Sequence, residues 1–427
     1  MFSPGDPGKN LPNYKRFLGA GGEIMASLKR RVIKYFFSTL LVAGFAFLLW
    51  DMLLMHQEPV IDDPEVSDIP IRQELTEPQQ RALVRFLSLE VPKHSELVVN
   101  KYIPPYRVSV ERAENLISWQ LDYDGLGGWS KNFPKIYERR YNGTEDKSYQ
   151  TTQDGDVWLS HLDNDATTSE ILYLAAVYSE FPRSDIRQSI LKATHMIIIM
   201  QHEQGSWPEC YPEQTWDSSR YENHGTINDQ VHFNNMSMFQ KILNEEYPFD
   251  NDLFNQSQKQ DIQKSYDLAL DFVIRSQLRN SSGDLTLWAG KYHMELMEPM
   301  WARHFEPPAI MNLESQKILF HLLSIPEKSP EVRQAIYSGA LWMYKHAVLD
   351  VEYRINQRPY FFHAPGMKMW YRFQDPETKQ GVYGLNREIV EDIMDLPEER
   401  RHGYRWATDV GSEIYDATHR FLRYINQ

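Results

Sequence analysis

Two acidic clusters stand just ahead of runs with helical periodicity. In HLDNDATTSEI (161–171) they are Asp163 and Asp165, and in HGTINDQVHFNN (224–235) Asn228 and Asp229 hold the matching place. Acids at a helix start can simply cap it and complement its dipole, and Thr167 or Thr168 with Glu170 reads as such a start. Two carboxylates on neighbouring helix starts can also converge on one hard cation. Calcium takes several oxygen ligands, and Asp, Asn and water supply them. His161, His224 and His232 lie nearby, but no H-x-x-x-H or H-E-x-x-H spacing supports zinc, so a histidine here reads as a hydrogen-bonding partner.

Two arginine-bearing segments complete the chemical inventory. MEPMWARHFEPPAI (297–310) pins Arg303 between Trp301 and a pair of prolines, where it could serve chemistry or a structural ion pair. EERRHGYRWATD (398–409) sets Arg400 and Arg401 beside Gly403, Tyr404 and Trp406. A doubled arginine is often a solvated face. Beside a glycine turn and aromatic rings it also suits bidentate recognition of carboxylates combined with stacking.

The elements that must position these residues are mostly helical. SEILYLAAVYSEF, DIRQSILKATHMIIIMQHEQ, SYDLALDFVIRSQL, ESQKILFHLLSI and EVRQAIYSGALWMYKHAV place apolar residues at three-to-four spacing, and alternating strand patterns are scarce. A weak repeat runs through ISWQLDYDGLGGWSKNFP (117–134) and IIMQHEQGSWPECYP (198–212), with a fainter copy in VIRSQLRNSSGDLTLW (273–288). Each has a helix ending in Gln, a glycine turn and a Trp. This predicts helical hairpins arrayed around an axis, with loops on one face forming a groove.

The chain of 427 residues is long enough for one large domain with appendages. Its formal charge of -14 argues against a nucleic-acid partner, and any cations that read a polyanion must be clustered locally. Eleven Trp and 24 Tyr could stack on sugars, although packing accounts for most such rings. The single cysteine, Cys210, excludes an internal disulfide framework. From Tyr35 to Trp50 there are 16 residues without a charge, close to the ~20 needed to span a bilayer. Lys29, Arg30, Arg31 and Lys34 precede that run, which places the N-terminus in the cytoplasm and the rest on the periplasmic or extracytoplasmic side. The expected organisation is a stub (1–34), a transmembrane signal anchor (35–55), an acidic linker (56–75) and a catalytic domain (76–427).

Seven motifs, in order, resemble family 10 of the polysaccharide lyases, the pectate lyases of (α/α) toroid fold. They are GGWSKN (127–132), LDNDATTSEI (162–171), GSWPECYP (205–212), INDQ (227–230), PMWARHFEPPAI (299–310), WYRFQDPET (370–378) and RRHGYRW (400–406). The resemblance implies an all-α toroid or barrel of helical hairpins, acting on an acidic, uronate-containing polysaccharide by calcium-assisted anti β-elimination. By matching positions it implies Asp163 and Asp229 as the acids of the calcium site and Arg303 as the proton-abstracting base. Lys131, Asn132, Arg400, Arg401, Tyr404 and Trp207 would then contact substrate.

The chain also departs from the family pattern. Lys291, Tyr292 and His293 replace a Gln-His-Asp run, Glu298 replaces a lysine, Glu209 replaces a glutamine, and Ile310 to Leu313 replace Ser-Leu-Ser-Gly. A carboxylate in place of a cation beside a polyanion bears on which sugar is recognised. Two other readings are a membrane-anchored binder without catalysis and a hydrolase using Asp163 and Asp229 as its carboxylate pair.

Overall fold

Local chemistry sets where the helices begin. Thr76 and Gln79 form a reciprocal capping box for the first, Asn255 and Gln258 do the same for a later one, and Ser109 and Ser329 each accept a backbone N–H. The computed structural model describes residues 75–91, 108–131, 136–152, 157–213, 220–358 and 360–426. The expected stub, the anchor, nearly all of the acidic linker and Asn132 lie outside these residues. The chain divides into Met1–Asp68 and Ile69–Gln427, and everything described belongs to the second unit. Among the described residues no helix is long and apolar enough to cross a membrane.

The helices, in order, are α1 (Glu77–Glu90), α2 (Val110–Trp119), α3 (Thr168–Glu180), α4 (Ser184–Ile199), α5 (Val231–Leu243), α6 (Gln256–Ser276), α7 (Asn312–Ser324), α8 (Pro330–Lys345), α9 (Glu398–Gly403) and α10 (Ser412–Ile425). Consecutive pairs α3/α4, α5/α6 and α7/α8 pack on each other. α3, α5 and α7 also pack in series as an inner layer, with α2, α4, α6 and α8 as the outer one. The inner helices are buried on nearly every face, ten residues of thirteen in each, whereas α2, α4 and α6 bury a single stripe. α1 and α10 pack together and against α8.

The expectation of an all-α toroid is corrected by the connections. Among the described residues they form eleven strands in five small antiparallel sheets. β1 (Ser160–His161) pairs with β2 (Cys210–Tyr211), β3 (Gly225–Thr226) with β4 (Lys291–Tyr292), and β5 (Ile310–Met311) with β8 (Phe373–Gln374). β6 (Val348–Tyr353), β7 (Phe361–Tyr371) and β11 (Ala407–Thr408) form a three-stranded sheet, and β9 (Tyr383–Leu385) pairs with β10 (Glu388–Val390). A second apolar cluster of Phe305, Tyr360, Phe373, Tyr383 and Trp406 packs in this C-terminal region. A strand of two residues has no period to detect. β7, eleven residues long, carries Pro365 and Gly366 mid-strand, which breaks its alternation.

The repeat is a set of joints. Buried Trp129, Trp207 and Trp288 donate their indole N–H to Leu116, Ile197 and Val273, carbonyls in the last turns of α2, α4 and α6, at 2.8, 2.9 and 2.7 Å. Trp370 does the same to Met343 of α8 at 2.9 Å. The glutamine after each of the first three helices bridges its own turn to the next outer helix. Gln120 reaches Gly127 and Ser189, Gln201 reaches Gly205 and Ser265, and Gln277 reaches Thr286 and Ala335. Gly205 is obligatory at its joint, because its φ is +99° and a Cβ would stand 2.0 Å from the Leu268 carbonyl.

The third joint is incomplete. Ser189 and Ser265 return a hydroxyl to their glutamines at 2.7 and 2.5 Å. Ala335 cannot, and the buried Gln277 Oε1 has no partner. Replacing Ala335 by serine should satisfy that oxygen and stabilise the protein by about 0.5–1.5 kcal/mol. Chemical unfolding of the two proteins measures this, and a loss of stability would mean that the buried position has no room for the hydroxyl.

Candidate functional site

Two of the inner helices, α3 and α5, follow 3-10 turns that pack against each other and are strained in a common way. In the 3-10 turn Asp163–Asp165, Asn164 and Asp165 have φ of 53° and 64°. In Asn228–Gln230, Asp229 and Gln230 have φ of 50° and 63°. Asn and Asp tolerate this left-handed region better than most residues. Thr167, at φ 62°, is held because its hydroxyl accepts from Trp129 N at 3.0 Å. The turns superpose by conformation with Asp163 opposite Asn228 and Asn164 opposite Asp229. The two predicted acids therefore occupy offset positions on two equivalent turns, and both sit where helix dipoles favour negative charge.

Asp163 is buried and ion-pairs with Lys131 through Oδ2, while its Oδ1 has no hydrogen-bond partner. Burial, reinforced by the Glu209 charge and opposed by Lys131, pushes its carboxyl up to about 7. Lys131 is itself held above the usual lysine range, because Asp163 and Glu209 outweigh the burial that works against its charge. Its ammonium lies 5.6 Å from the centre of the exposed Tyr149 ring. Asp229 is also raised, by burial and by the charges of Glu209 and Glu306, against the pull of Arg303 and Arg372. The buried Asn228 Oδ1 is unpartnered, like its counterpart on Asp163.

Arg303 is gripped on one edge by Glu306. Its Nε donates to Oε2 at 2.8 Å, its Nη2 pairs with Oε1, and its backbone N–H adds a bond at 3.2 Å. Glu306 is buried and also accepts from Tyr404 OH at 2.8 Å. Burial opposes charge on both partners, yet the pairing prevails: Arg303 lies above the ordinary arginine value and Glu306 below the ordinary glutamate one. The guanidinium is 43% exposed and lies over Phe305 and Tyr404, 4.8 and 5.8 Å from their ring centres. Arg400 stacks on Phe305 at 3.6 Å and Arg372 on Tyr404 at 4.6 Å. Arg303, Arg372 and Arg400 are thus interleaved with the two rings.

The structure separates the predicted residues into two groups. Lys131 with Asp163, and Arg303 with Tyr404, form the two charged ends, and Asp229 feels the charge of both Glu209 and Arg303. Trp207 and Arg401 do not join them. Trp207 is fully buried against His232 and Phe239 and leaves no face for a sugar. Arg401 is buried and donates to the Met394 carbonyl at 2.8 Å. Neighbours on a helix such as α9 point roughly 100° apart, so one of two adjacent arginines is turned inward.

Several residues of the site escaped the sequence reading. Glu306 was visible in principle, three positions after Arg303. Glu209, Lys291, Arg372, Glu314 and Tyr221 arrive from distant segments, and nothing local in the sequence shows that they meet. Two cavities open elsewhere. One of about 810 Å³ lies between α4 and α6 and one of about 220 Å³ lies beside β6 and β7, and neither is lined by these residues.

The Asp163 shift has a measurable sign. An acid whose pKa rises on folding takes stability away as pH climbs from its unfolded value, 3.8, to its folded value, about 7. Replacing Asp163 by asparagine removes that proton linkage. In the presence of chelator, the fall in melting temperature between about pH 5 and about pH 8 should be smaller in the variant. An identical fall in both proteins would show that the linkage lies in other groups.

The pectic acid lyase family model matches residues 124–415. A point mutant of the family 10 polysaccharide lyase from Cellvibrio cellulosa, in complex with trigalacturonic acid, aligns with a TM-score of 0.63 at 24% identity, over 82% of this chain and 99% of its own. A second structure of the family 10 polysaccharide lyase from that organism aligns with a TM-score of 0.63 at 23% identity, over 81% and 98%. No curated protein matches. With the family model spanning most of the chain, including Asp163, Asp229 and Arg303, the chain belongs to the pectic acid lyases, family 10 of the polysaccharide lyases.

Proposed function

We propose that this lyase cleaves a pectate-like, uronate-containing polysaccharide by calcium-assisted anti β-elimination, with Arg303 as the proton-abstracting base. The observation that carries this reading is the gathering of Lys131, Arg303, Arg372 and Arg400 around buried carboxylates in a protein whose overall charge is -14. Such local cations suit the carboxylates of a polyanion, and the neighbouring structure from Cellvibrio cellulosa holds trigalacturonic acid.

The donor set at Asp163 and Asp229 fits a hard divalent cation. Asp163 Oδ1 is buried without a partner, and the two acids sit in each other's field with raised pKa values, which added positive charge would relieve. Among the described residues no three acidic, histidine or cysteine side chains cluster tightly enough to hold a metal alone. Water and the uronate would therefore complete the shell. Bound there, calcium would neutralise the uronate carboxylate and acidify the adjacent C–H.

Lys131 and Arg400 would orient neighbouring carboxylates. Glu306 engages Nε and Nη2 of Arg303, which leaves Nη1 as the guanidinium nitrogen to face the substrate. Its task is to take the proton from the carbon beside the carboxylate. The electron pair released forms the C=C bond, the glycosidic C–O bond breaks, and the leaving oxygen picks up a proton. Glu306 keeps Arg303 protonated in the resting protein, so the base form would be reached only with further positive charge in the site.

The test is ultraviolet absorbance of the unsaturated uronate, with the full chain, a panel of uronic-acid polymers, and calcium or chelator. Absorbance should grow on polygalacturonate or a related polymer, vanish with chelator, and fall about a thousandfold or more in Arg303→Ala. Product formed without absorbance, or absorbance indifferent to chelator and to that substitution, would end this reading. The apolar run Tyr35–Trp50 and its basic flank support a further proposal, that the lyase is anchored in a membrane with its catalytic part on the extracytoplasmic side. Alkaline carbonate extraction should leave the full chain in the membrane pellet, and release into the supernatant would refute the anchor.

A further inference from the structure

Lysine is rarely enclosed in a protein without a partner, and Lys291, only 1% exposed, has two. It stands on β4 opposite Thr226 of β3 and donates to the Thr226 hydroxyl at 2.5 Å. Its ammonium is 2.9 Å from Glu209 Oε1 and 5.4 Å from the centre of the Tyr221 ring. Glu209 is clamped in turn by its backbone. Its N–H donates to the Glu222 carbonyl and its own carbonyl accepts from Leu162, both at 2.8 Å. Leu162 precedes Asp163, so the clamp sets Glu209 alongside the acid whose Oδ1 is bare.

The charge on Glu209 reaches Lys131, Asp163 and Asp229 alike. Its field thus links both strained turns and Lys131. Among the described residues no three acidic, histidine or cysteine side chains cluster closely enough to hold a metal, and Glu209 Oε1 is engaged by Lys291, so its influence on an ion would be exerted through its charge.

We propose that Glu209, oriented by Lys291, is a positioning residue that sets the divalent-cation affinity of Asp163 and Asp229 through its charge. This rests on the cation reading above. Its signature is a pair of opposite signs: removing the buried negative charge weakens cation binding, and removing its positive partner strengthens it. Mere structural damage would weaken both.

The experiment is calorimetric titration of calcium into the full chain without substrate, repeated with terbium luminescence. Glu209→Gln should bind about three- to tenfold more weakly and Lys291→Gln more tightly by a similar factor, as expected for one charge acting on a divalent ion several ångströms away through a water-like effective dielectric. The double variant, with the pair neutral, should return to within about twofold of the parent. Singles that shift in the same direction, or singles that do not shift, overturn the proposal. Where Lys291→Gln alone does not fold, the double variant decides: it must bind more tightly than Glu209→Gln, and equal affinity overturns the idea. Calcium binding by the parent that neither substitution alters defeats this inference alone, whereas a parent that binds no calcium defeats the cation reading beneath it.

Discussion

The indole and glutamine joints at the ends of α2, α4 and α6 hold the two helical layers in register. Each tryptophan closes the last turn of an outer helix with a buried hydrogen bond, and each glutamine ties that turn to the next outer helix. A buried amide that lost its partners would leave polar groups unsatisfied, so these joints resist sliding as well as separation. They determine where the chain leaves one hairpin and enters the next. The short ribbons β1/β2 and β3/β4 grow from those exits, and Glu209 and Lys291 are delivered on them.

The site is an arrangement of largely buried acids met by cations, of which Arg303 stays open to solvent. Asp163, Glu209, Asp229, Glu306 and Glu314 are acids at the starts of inner helices or on the connections between them. Lys131, Lys291, Arg303 and Arg372 interleave with them as partners. Where pairing is complete, as at Glu306, the acid stays ionised below its usual range. Where burial dominates, as at Asp163 and at Glu314, which is pushed up to about 8, the charged form is costly. The folded protein thus holds a cost at the positions where a ligand can relieve it, a common trade of stability for function.

Much of this was legible from residues alone, and the failures have physical causes. Helices announced themselves through periodicity, and the Gln, Gly and Trp repeat pointed to the joints. Asp163, Asp229 and Arg303 stood in recognisable motifs. Two-residue strands carry no period, so the sheets were missed and the all-α expectation failed. Trp207 is buried, and nothing in a glycine-rich turn tells whether an indole faces a sugar or a backbone carbonyl. Arg401 is buried beside the more open Arg400, because adjacent residues of a short helix share a motif but not a direction. Glu209 and Lys291 lie 82 positions apart, and only the fold shows that they touch.

The offset between the two strained turns has one more consequence. With the acid first in Asp163–Asp165 and second in Asn228–Gln230, the repeat that built the turns does not make their chemistry symmetric. A glycan strand has distinct reducing and non-reducing ends. The Lys131–Asp163 and Arg303–Glu306 pairs differ in the order of their charges, so the site presents a different sequence of charges to each polarity. The departure from internal symmetry gives the site a direction of its own.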